Sequence, residues 1–342
     1  MALYTSASAV NERLKSIKTR FLIISDTHGL DLSYHKPLVP ADVVLHCGDL
    51  TEHSKFSEIQ ATIQLLRSIS APLKLVIAGN HDWTLDKLAY ELKVAEAKKI
   101  DPTCSDHDIE KAFGKYGAVR RLLEAAREHG ILFLEEGVHN IRLHNGSNLK
   151  LYASPYTPSN GGEWGFQYNS SHDFDIPDVD VVMTHGPPLG IMDRSGRDRI
   201  GCSQLFTAVR KAQPRLHCFG HVHKGWGGKL VAWRKQVSES PCHFNDIDNN
   251  NSEVIGSLLH PPELAEFKDP IQPETTLFVN AALEADGALS QRPWLVEMDL
   301  SAHTEKEVSI QGSRYGRSAK PHASVLEMSA ESIGPLHTAK RV

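Results

Sequence analysis

Cysteine is scarce in this chain of 342 residues, and its five cysteines lack the spacing that is typical of a disulfide framework or a thiolate zinc site. Their number is odd and no two of them form a CxxC pair, so the sequence argues against both kinds of site. Cys47 and Cys218 lie inside apolar runs, where a cysteine usually acts as a small buried hydrophobic residue. We therefore expect both thiols to be buried and unreactive.

Long apolar segments are absent as well. No run approaches the roughly 20 residues that a membrane-spanning helix requires. Residues 1–20 also lack the charged and then apolar pattern of a signal peptide. We expect a cytoplasmic protein that has no membrane partner.

An excess of positive charge is also missing, because 37 Lys and Arg residues face 42 Asp and Glu residues and leave a net charge of −5. This balance excludes the basic surface expected of a protein that binds extended nucleic acid. The net charge does not exclude small nucleotides as ligands, because bound metal ions supply positive charge locally.

The chain does contain five short apolar runs, and each ends directly before residues that can bind a metal ion. Such runs of Val, Ile and Leu are typical of strands that are buried on both faces. Ligands bind at the carboxyl edge of the strands in open α/β sheets, so we expect the polar residues to converge there. The runs and their polar residues are FLIISDTH (Asp26, His28), VVLHCGDL (Asp49), LKLVIAGNHD (Asn80, His81, Asp82), DVVMTHG (His185) and LHCFGHVH (His221, His223).

Each motif has an ordinary alternative when it is taken alone. Asp26 and His28 would project in the same direction from a strand end, but a turn-capping Asp beside a surface His is equally common. Asp49 follows Gly48, which permits a tight turn, and its two carboxylate oxygens could bridge two ions, but a Gly-Asp turn is common too. Asn80 offers a neutral oxygen ligand, although its tetrapeptide could also be a plain turn.

Taken together, the motifs predict a centre with two metal ions. The shared carboxylate of Asp49 would give each ion four protein contacts and leave positions for water and substrate. Imidazole and carboxylate ligands suit Mn, Fe, Zn, Co or Ni. His81 would stand beside the substrate and protonate the leaving oxygen, and Asp82 would hold the loop. The seven predicted ligands are Asp26, His28, Asp49, Asn80, His185, His221 and His223.

The rest of the chain predicts an α/β domain of two sheets packed face to face with helices outside. Helical spacing of apolar residues covers 57–69, 86–99 and 115–130. A hairpin is expected over 139–143 and 149–153, and a later hairpin over 276–282 and 293–300. We predict an N-terminal extension (1–19), a main domain (20–300) with a surface insertion (232–275), and a C-terminal tail (301–342).

The ordered motifs DTH, GD, GNHD, THGPP and GHVH resemble those of the calcineurin-like metallophosphoesterase superfamily. HCGDLTE, THGPPLG and GCSQL are similar to its MPPED/239AB-type and cyclic-nucleotide-phosphodiesterase-like branch. The resemblance covers residues 20–231 and implies a four-layer αββα sandwich, in which two mixed β-sheets are flanked by helices. It favours Mn or an Fe–Mn pair as the metals.

The resemblance also implies a role for each site residue. Many relatives carry an Asp three residues after the bridging carboxylate, which orients the catalytic histidine; Glu52 occupies that position here and is expected to orient His81. The first ion would be bound by Asp26, His28, Asp49 and His223, and the second by Asp49, Asn80, His185 and His221.

The expected function is phosphoester hydrolysis, in which a metal-bridged hydroxide attacks phosphorus in line with the leaving group. A phosphodiesterase or phosphatase that acts on nucleotide-like or other small phosphoesters is our main prediction. The alternatives are the same chemistry on a phosphoprotein or pathway intermediate, and a nonhydrolytic nucleotide-binding scaffold. The sequence leaves the oligomeric state open, a dimer included.

Two loops are candidates for substrate contact, in addition to Asn80 and His81. The first, 156–172, offers aromatic rings that could stack on a base, with Asn169 and His172 as polar contacts. The second, 190–202, offers arginines, of which Arg199 is our candidate for binding the substrate. The ordinary alternatives are packing for the rings and ion pairing for the arginines. The rings are Trp164, Phe166 and Tyr168, and the arginines are Arg194, Arg197 and Arg199.

Overall fold

The computed structural model describes residues 16–32, 40–159, 161–162, 164–262, 265–268 and 271–303. Of the predicted N-terminal extension only 16–19 is described, and it forms the start of the first strand. Of the predicted tail, 301–303 is described, and the remainder lies outside the described residues.

The strands of the described part are numbered in chain order. They are β1 (Ser16–Ile24), β2 (Val43–His46), β3 (Leu73–Val76), β4 (Ile131–Phe133), β5 (Gly137–Arg142), β6 (Asn148–Ser154), β7 (Thr157–Pro158), β8 (Gln167–Tyr168), β9 (Val181–Thr184), β10 (Arg194–Ser195), β11 (Asp198–Arg199), β12 (Leu216–Phe219), β13 (Gly227–Trp233), β14 (Ile247–Ser257), β15 (Glu266–Phe267), β16 (Thr275–Asn280), β17 (Glu284–Ala285), β18 (Ala288–Leu289) and β19 (Trp294–Ser301).

The α-helices are α1 (Phe56–Ser68), α2 (Lys87–Ile100), α3 (Asp106–Phe113), α4 (Ala118–Ala125), α5 (Ser203–Ala212) and α6 (His243–Asp246). Short 3₁₀ turns cover Trp83–Leu85, Ala126–His129 and His223–Gly225. Local sequence explains the helix starts. Asp86, for example, caps α2 by accepting from the backbone N–H groups of Leu88 and Ala89. None of the described helices is both long and apolar enough to cross a membrane.

Two mixed sheets form the centre of the fold. The first has the strand order β15-β19-β1-β2-β3-β4, and β1 to β4 run parallel to one another. The second has the order β14-β13-β16-β12-β9-β6-β5, with β6, β9, β12 and β16 parallel. In the second sheet the parallel strands are central and antiparallel partners lie on both sides of them. In the first sheet β1 to β4 run to one edge, and β19 pairs antiparallel with β1 on the other side.

The core is divided between the two faces of each sheet. Along β1, Phe21 and Ile23 join a cluster that includes Val181 and Leu277 of the second sheet, so this cluster lies between the sheets. The intervening side chains of β1 pack with those of α1 and α4, as the period of two in a strand requires. On the far face of the second sheet, α5 packs on β9 and β12. The predicted four-layer αββα sandwich is confirmed.

The structure corrects one strand pairing. The two apolar runs that we expected to form a late hairpin are β16 and β19, and they lie in different sheets. The small hairpin of β17 and β18 lies between them in the chain. Apolar periodicity identifies a strand, but it carries no information about the strand's partner, so the prediction of this hairpin was wrong.

The segment 232–275, which we expected to be a surface insertion, has two parts in the structure. Its first part forms β14, an edge strand along β13 whose middle residues are exposed. Its second part places Ala265, Phe267 and Ile271 in the core between the sheets. Both parts are therefore attached to the main sheets.

Candidate metal centre

Four predicted ligands leave their strands through left-handed backbone. The φ angles are 55° at Asp26, 49° at His28, 52° at Asp49 and 65° at His221. This region costs a non-glycine residue about 1–2 kcal/mol, and it persists where the surroundings hold the backbone in place. Here the His221 N–H donates to both oxygens of Asp26, at 3.0 Å each. The strain is thus offset by bonds between motifs that are distant in the sequence.

Two glycines allow these motifs to approach one another. A Cβ at Gly220 would overlap the Asp26 carboxylate, and a Cβ at Gly48 would lie 2.6 Å from His185 Nδ1. Gly48 also has a φ of 98°, which side chains rarely tolerate. The glycines that precede Asp49 and His221 are therefore required by close packing at the site.

The first group of donors consists of Asp26, His28 and His223, whose candidate ligand atoms lie within 4.8 Å of one another. His223 Nε2 is 3.2 Å from Asp26 Oδ1 and 3.4 Å from His28 Nε2. The opposite nitrogen of each ring is occupied. His28 Nδ1 lies 3.1 Å from the Thr51 carbonyl oxygen, and His223 Nδ1 is ion-paired with Glu284. These bonds leave both Nε2 atoms facing the group.

The second group consists of Asp49, His185 and His221, again with candidate ligand atoms within 4.8 Å. Asn80 joins it, because its Oδ1 lies 2.9 Å from His185 Nε2. His185 Nδ1 is 2.9 Å from the Cys47 carbonyl oxygen. That carbonyl can only accept, so Nδ1 carries the hydrogen and Nε2 is left to bind a metal ion.

Asp49 lies between the two groups. Its Oδ1 is 3.3 Å from His185 Nε2, whereas its Oδ2 is 4.0 Å from His28 Nε2. The backbone N–H of His81 donates to Oδ1 at 2.9 Å. One carboxylate thus directs a different oxygen to each group of imidazoles, which suits a ligand that bridges two ions.

The donors fit divalent metal ions in type as well as position. Two carboxylates, one amide oxygen and four imidazoles face one region, and most of these side chains are buried. Clustered, buried carboxylates and imidazoles are costly unless they are paired or coordinate a metal, and this mixture of ligands suits Mn, Fe, Co, Ni or Zn. The structure therefore brings together all seven residues that the sequence predicted as ligands.

The electrostatics of the site favour ionised carboxylates. Burial alone would raise the pKa of Asp26, but the hydrogen bond and charge of His223 outweigh it and lower that pKa to about 2. Burial likewise opposes ionisation of Asp49, and the charge of His185 holds its pKa well below the usual value. For His185 and His223 burial lowers the pKa, but the facing carboxylates raise it to about 9 in each case.

These pKa values predict that metal binding is linked to proton release. An imidazole that coordinates a metal must be neutral, whereas His185 and His223 hold protons up to a pKa of about 9. As the pH falls below 9, the ions must displace these protons, and the apparent affinity should fall about tenfold per pH unit for each one. Calorimetric titration with Mn²⁺ at pH 7, 8 and 9 in buffers of different ionisation enthalpy measures both the trend and the protons released. A Kd that does not vary with pH would contradict the prediction.

The orienting role that we expect of Glu52 stays a prediction, and the structure gives the side chain and the backbone of this residue different contacts. Its carboxylate Oε2 lies 2.9 Å from His28 Nδ1, whereas Oε1 is 4.0 Å from His81 Nδ1. His81 Nδ1 instead lies 2.7 Å from the backbone carbonyl oxygen of Glu52. At this position the shorter contact to His81 comes from the main chain, and the Glu52 carboxylate lies closer to a predicted metal ligand.

This geometry predicts the effect of Glu52→Gln. The variant keeps the backbone carbonyl that bonds His81, but it weakens the polarisation of His28. Loss of a partner behind a ligand costs about 10–100-fold in metal affinity, and the 46% exposure of the Glu52 side chain places the expected loss at the lower end. Activity at saturating metal should change little. A large loss of kcat with metals bound would show that the carboxylate itself orients His81.

Two further residues position the site, of which the sequence pattern indicated Asp82 but not Glu284. Glu284, which pairs with His223, follows β16 by a few residues, and nothing in its local sequence marks it. Asp82 is buried and accepts from the backbone N–H groups of Leu50, Thr51 and Gly79. It thereby joins the loop that carries Asp49 to the loop that carries Asn80. The prediction that Asp82 would hold its loop came from its place in GNHD.

In the two loops predicted to contact substrate, 156–172 and 190–202, several side chains are hydrogen-bonded to other protein groups. Arg199 donates to the buried carboxylate of Asp193 at 2.5 Å, so its role in binding substrate stays a prediction. Tyr168 donates to Cys202 Sγ, and His172 lies 2.7 Å from Glu136. Trp164 differs from these residues, because its ring lies against His81 with 4.4 Å between the centroids.

Comparison with known proteins identifies the family of this chain. The sequence matches the calcineurin-like phosphoesterase family over residues 19–225. Metallophosphoesterase domain-containing protein 1 of Homo sapiens is 33% identical over 246 residues, which cover 69% of this chain and 70% of that protein. A UPF0046 protein of Caenorhabditis elegans is 30% identical over 277 residues, which cover 78% of this chain and 63% of the relative. A solved phosphopantetheinyl hydrolase from Mycobacterium tuberculosis aligns with 63% of this chain and 85% of its own, at a TM-score of 0.37 and 16% identity. Because the family match spans more than half of the chain, this protein belongs to the calcineurin-like phosphoesterase family.

Proposed function

We propose that this protein hydrolyses phosphoesters with a pair of metal ions held by the seven donors. The observation that carries the proposal is the position of Asp49, whose two oxygens face different groups of imidazoles. A pair of ions at this place would supply a water-derived nucleophile and neutralise the phosphoryl oxygens. Mn or an Fe–Mn pair is our proposed metal content, with Zn, Co and Ni as further candidates.

The chain's own residues would bind the phosphoester and move a proton. His81 is adjacent to Asn80 in the sequence, and its side chain is 20% exposed, so it can touch both substrate and solvent. Its Nδ1 donates to the Glu52 carbonyl oxygen, which leaves Nε2 as the nitrogen that exchanges a proton with the substrate. In the protonated form, Nε2–H would donate to the leaving oxygen as the P–O bond breaks.

The proposed substrate is a nucleotide-like or other small phosphoester, with Asn80, His81 and Arg199 as its contacts. Arg199 would reach the substrate from the β10–β11 hairpin, where Asp193 now holds it. The chemistry would be that of a phosphodiesterase or phosphatase, since both need the same nucleophile and the same proton donor.

The test is an assay of the full chain, after metal removal, with Mn²⁺, Fe²⁺ or Zn²⁺ added back. Bis-p-nitrophenyl phosphate and p-nitrophenyl phosphate distinguish diesterase from monoesterase activity. A panel of cyclic nucleotides and nucleoside monophosphates then addresses the natural substrate. We expect metal-dependent turnover of at least one nitrophenyl ester that a chelator abolishes. Bound metal without turnover of either ester would refute hydrolysis and favour a nucleotide-binding scaffold.

A further inference from the structure

We propose that Trp164 is a positioning residue that holds the imidazole of His81 in the orientation needed to protonate the leaving group. The inference rests on the proposed hydrolase function. The two ring centroids are 4.4 Å apart and the rings are inclined by 35°. Trp164 is therefore in direct contact with the side chain that we propose as the proton donor.

The backbone beside Trp164 is fixed to the loop that carries His81. Gly165 N–H donates to the carbonyl oxygen of Asn80 at 3.0 Å. A Cβ at Gly165 would lie 2.8 Å from the Cα of Trp83, so this approach requires glycine. The N–H of Phe166 donates to Asp86 Oδ2 at 2.8 Å. These contacts bind the Trp164 segment to both ends of the Asn80–Asp86 stretch, so that the indole and the imidazole keep their relative positions.

The imidazole needs this support, because its hydrogen bond to the Glu52 carbonyl oxygen fixes one nitrogen but leaves the ring free to turn about that bond. Two neighbouring rings restrict this rotation of the imidazole. His28 meets His81 edge-on at 4.9 Å and 84°, and Trp164 covers it at 35°. The ammonium of Lys93 lies 5.3 Å from the indole centroid, and this cation–π contact holds the indole in turn.

The proton transfer has a consequence that a merely structural role would lack. As the new P–O bond forms, the bond to the leaving group breaks, and the proton passes from His81 Nε2 to the departing oxygen. His81 becomes neutral and takes up a proton from solvent before the next turnover. An alkoxide needs this proton, whereas p-nitrophenolate is stable without it. Misorientation of His81 should therefore slow the hydrolysis of alkyl esters and change the hydrolysis of nitrophenyl esters much less.

The experiment compares one nitrophenyl ester and one alkyl ester of the same class. If the wild type prefers diesters, the pair is bis-p-nitrophenyl phosphate and 2′,3′-cyclic AMP. If it prefers monoesters, the pair is p-nitrophenyl phosphate and glycerol 2-phosphate. We expect Trp164→Ala to lower kcat for the alkyl ester about tenfold or more, and for the nitrophenyl ester by less than about threefold. Trp164→Phe should restore most of the alkyl ester activity, because it restores a flat face. Trp164→Leu fills the space without such a face and should behave as alanine does.

Phe244→Ala is the matched control, since it removes an aromatic ring that is 73% exposed and should leave both rates unchanged. The metal content of every variant is measured in parallel. Equal losses on both esters with metals retained, or full activity of Trp164→Ala on the alkyl ester, would overturn the positioning role. A wild type that hydrolyses neither ester of either class would instead overturn the hydrolase proposal, and the inference with it.

Discussion

Asp49→Ala is expected to remove both metal ions and with them all measurable turnover. The carboxylate is buried and gives one oxygen to each group of imidazoles, so its loss affects both ions at once. Loss of a partner behind a ligand already costs about 10–100-fold in metal affinity, and the loss of a shared ligand should exceed about 100-fold. Metal content after dialysis and calorimetric titration with Mn²⁺ measure the change.

The fold should survive this substitution, since the strands beside Asp49 are held by the core. A matched control is Asp180→Ala, which removes a carboxylate that accepts from the Lys150 N–H outside the candidate centre. That variant should retain the full metal content. If Asp49→Ala keeps two ions per chain, Asp49 is not the bridge, and the dinuclear arrangement proposed for this site is wrong.

His81→Ala is expected to keep both ions and to lose most of its turnover on alkyl phosphoesters. His81 reaches Asp49 through its backbone N–H, which bonds Asp49 Oδ1, and alanine preserves that contact. Its imidazole, in contrast, is the proposed proton donor, and general acid catalysis contributes about 10²–10⁴-fold. Steady-state kinetics at saturating metal should therefore show a fall in kcat of this size.

The same variant should lose much less activity on nitrophenyl esters, whose leaving group does not need a proton. His139→Ala serves as the control, because it truncates a partly buried histidine on β5 whose Nε2 bonds the Glu135 carbonyl oxygen, outside the candidate centre. Full turnover of an alkyl ester by His81→Ala would exclude His81 as the acid. Loss of the ions from this variant would show that His81 acts as a ligand.

Local sequence determined a large share of the fold. The five apolar runs formed strands because Val, Ile and Leu at consecutive positions are buried on both faces of a layered sheet. The same runs predicted the place of the donors, since parallel strands end at a common edge. The pairing of strands could not be predicted from local sequence in the same way. The strands β16 and β19 have similar apolar patterns but belong to different sheets, because a strand's partner depends on the packing of the entire layer.

The candidate site likewise has features that the sequence determined and features that it did not. The sequence by itself determined which residue types reach the edge of the sheets, because each of them directly follows a buried strand in the chain. Only the tertiary structure decided their contacts, such as the Glu52 carboxylate on His28, Glu284 on His223 and Trp164 on His81. His28 and His223 are 195 positions apart in the chain and 3.4 Å apart between their Nε2 atoms. Burial in a strand is a property of a few consecutive residues, whereas such a contact depends on how two sheets pack together.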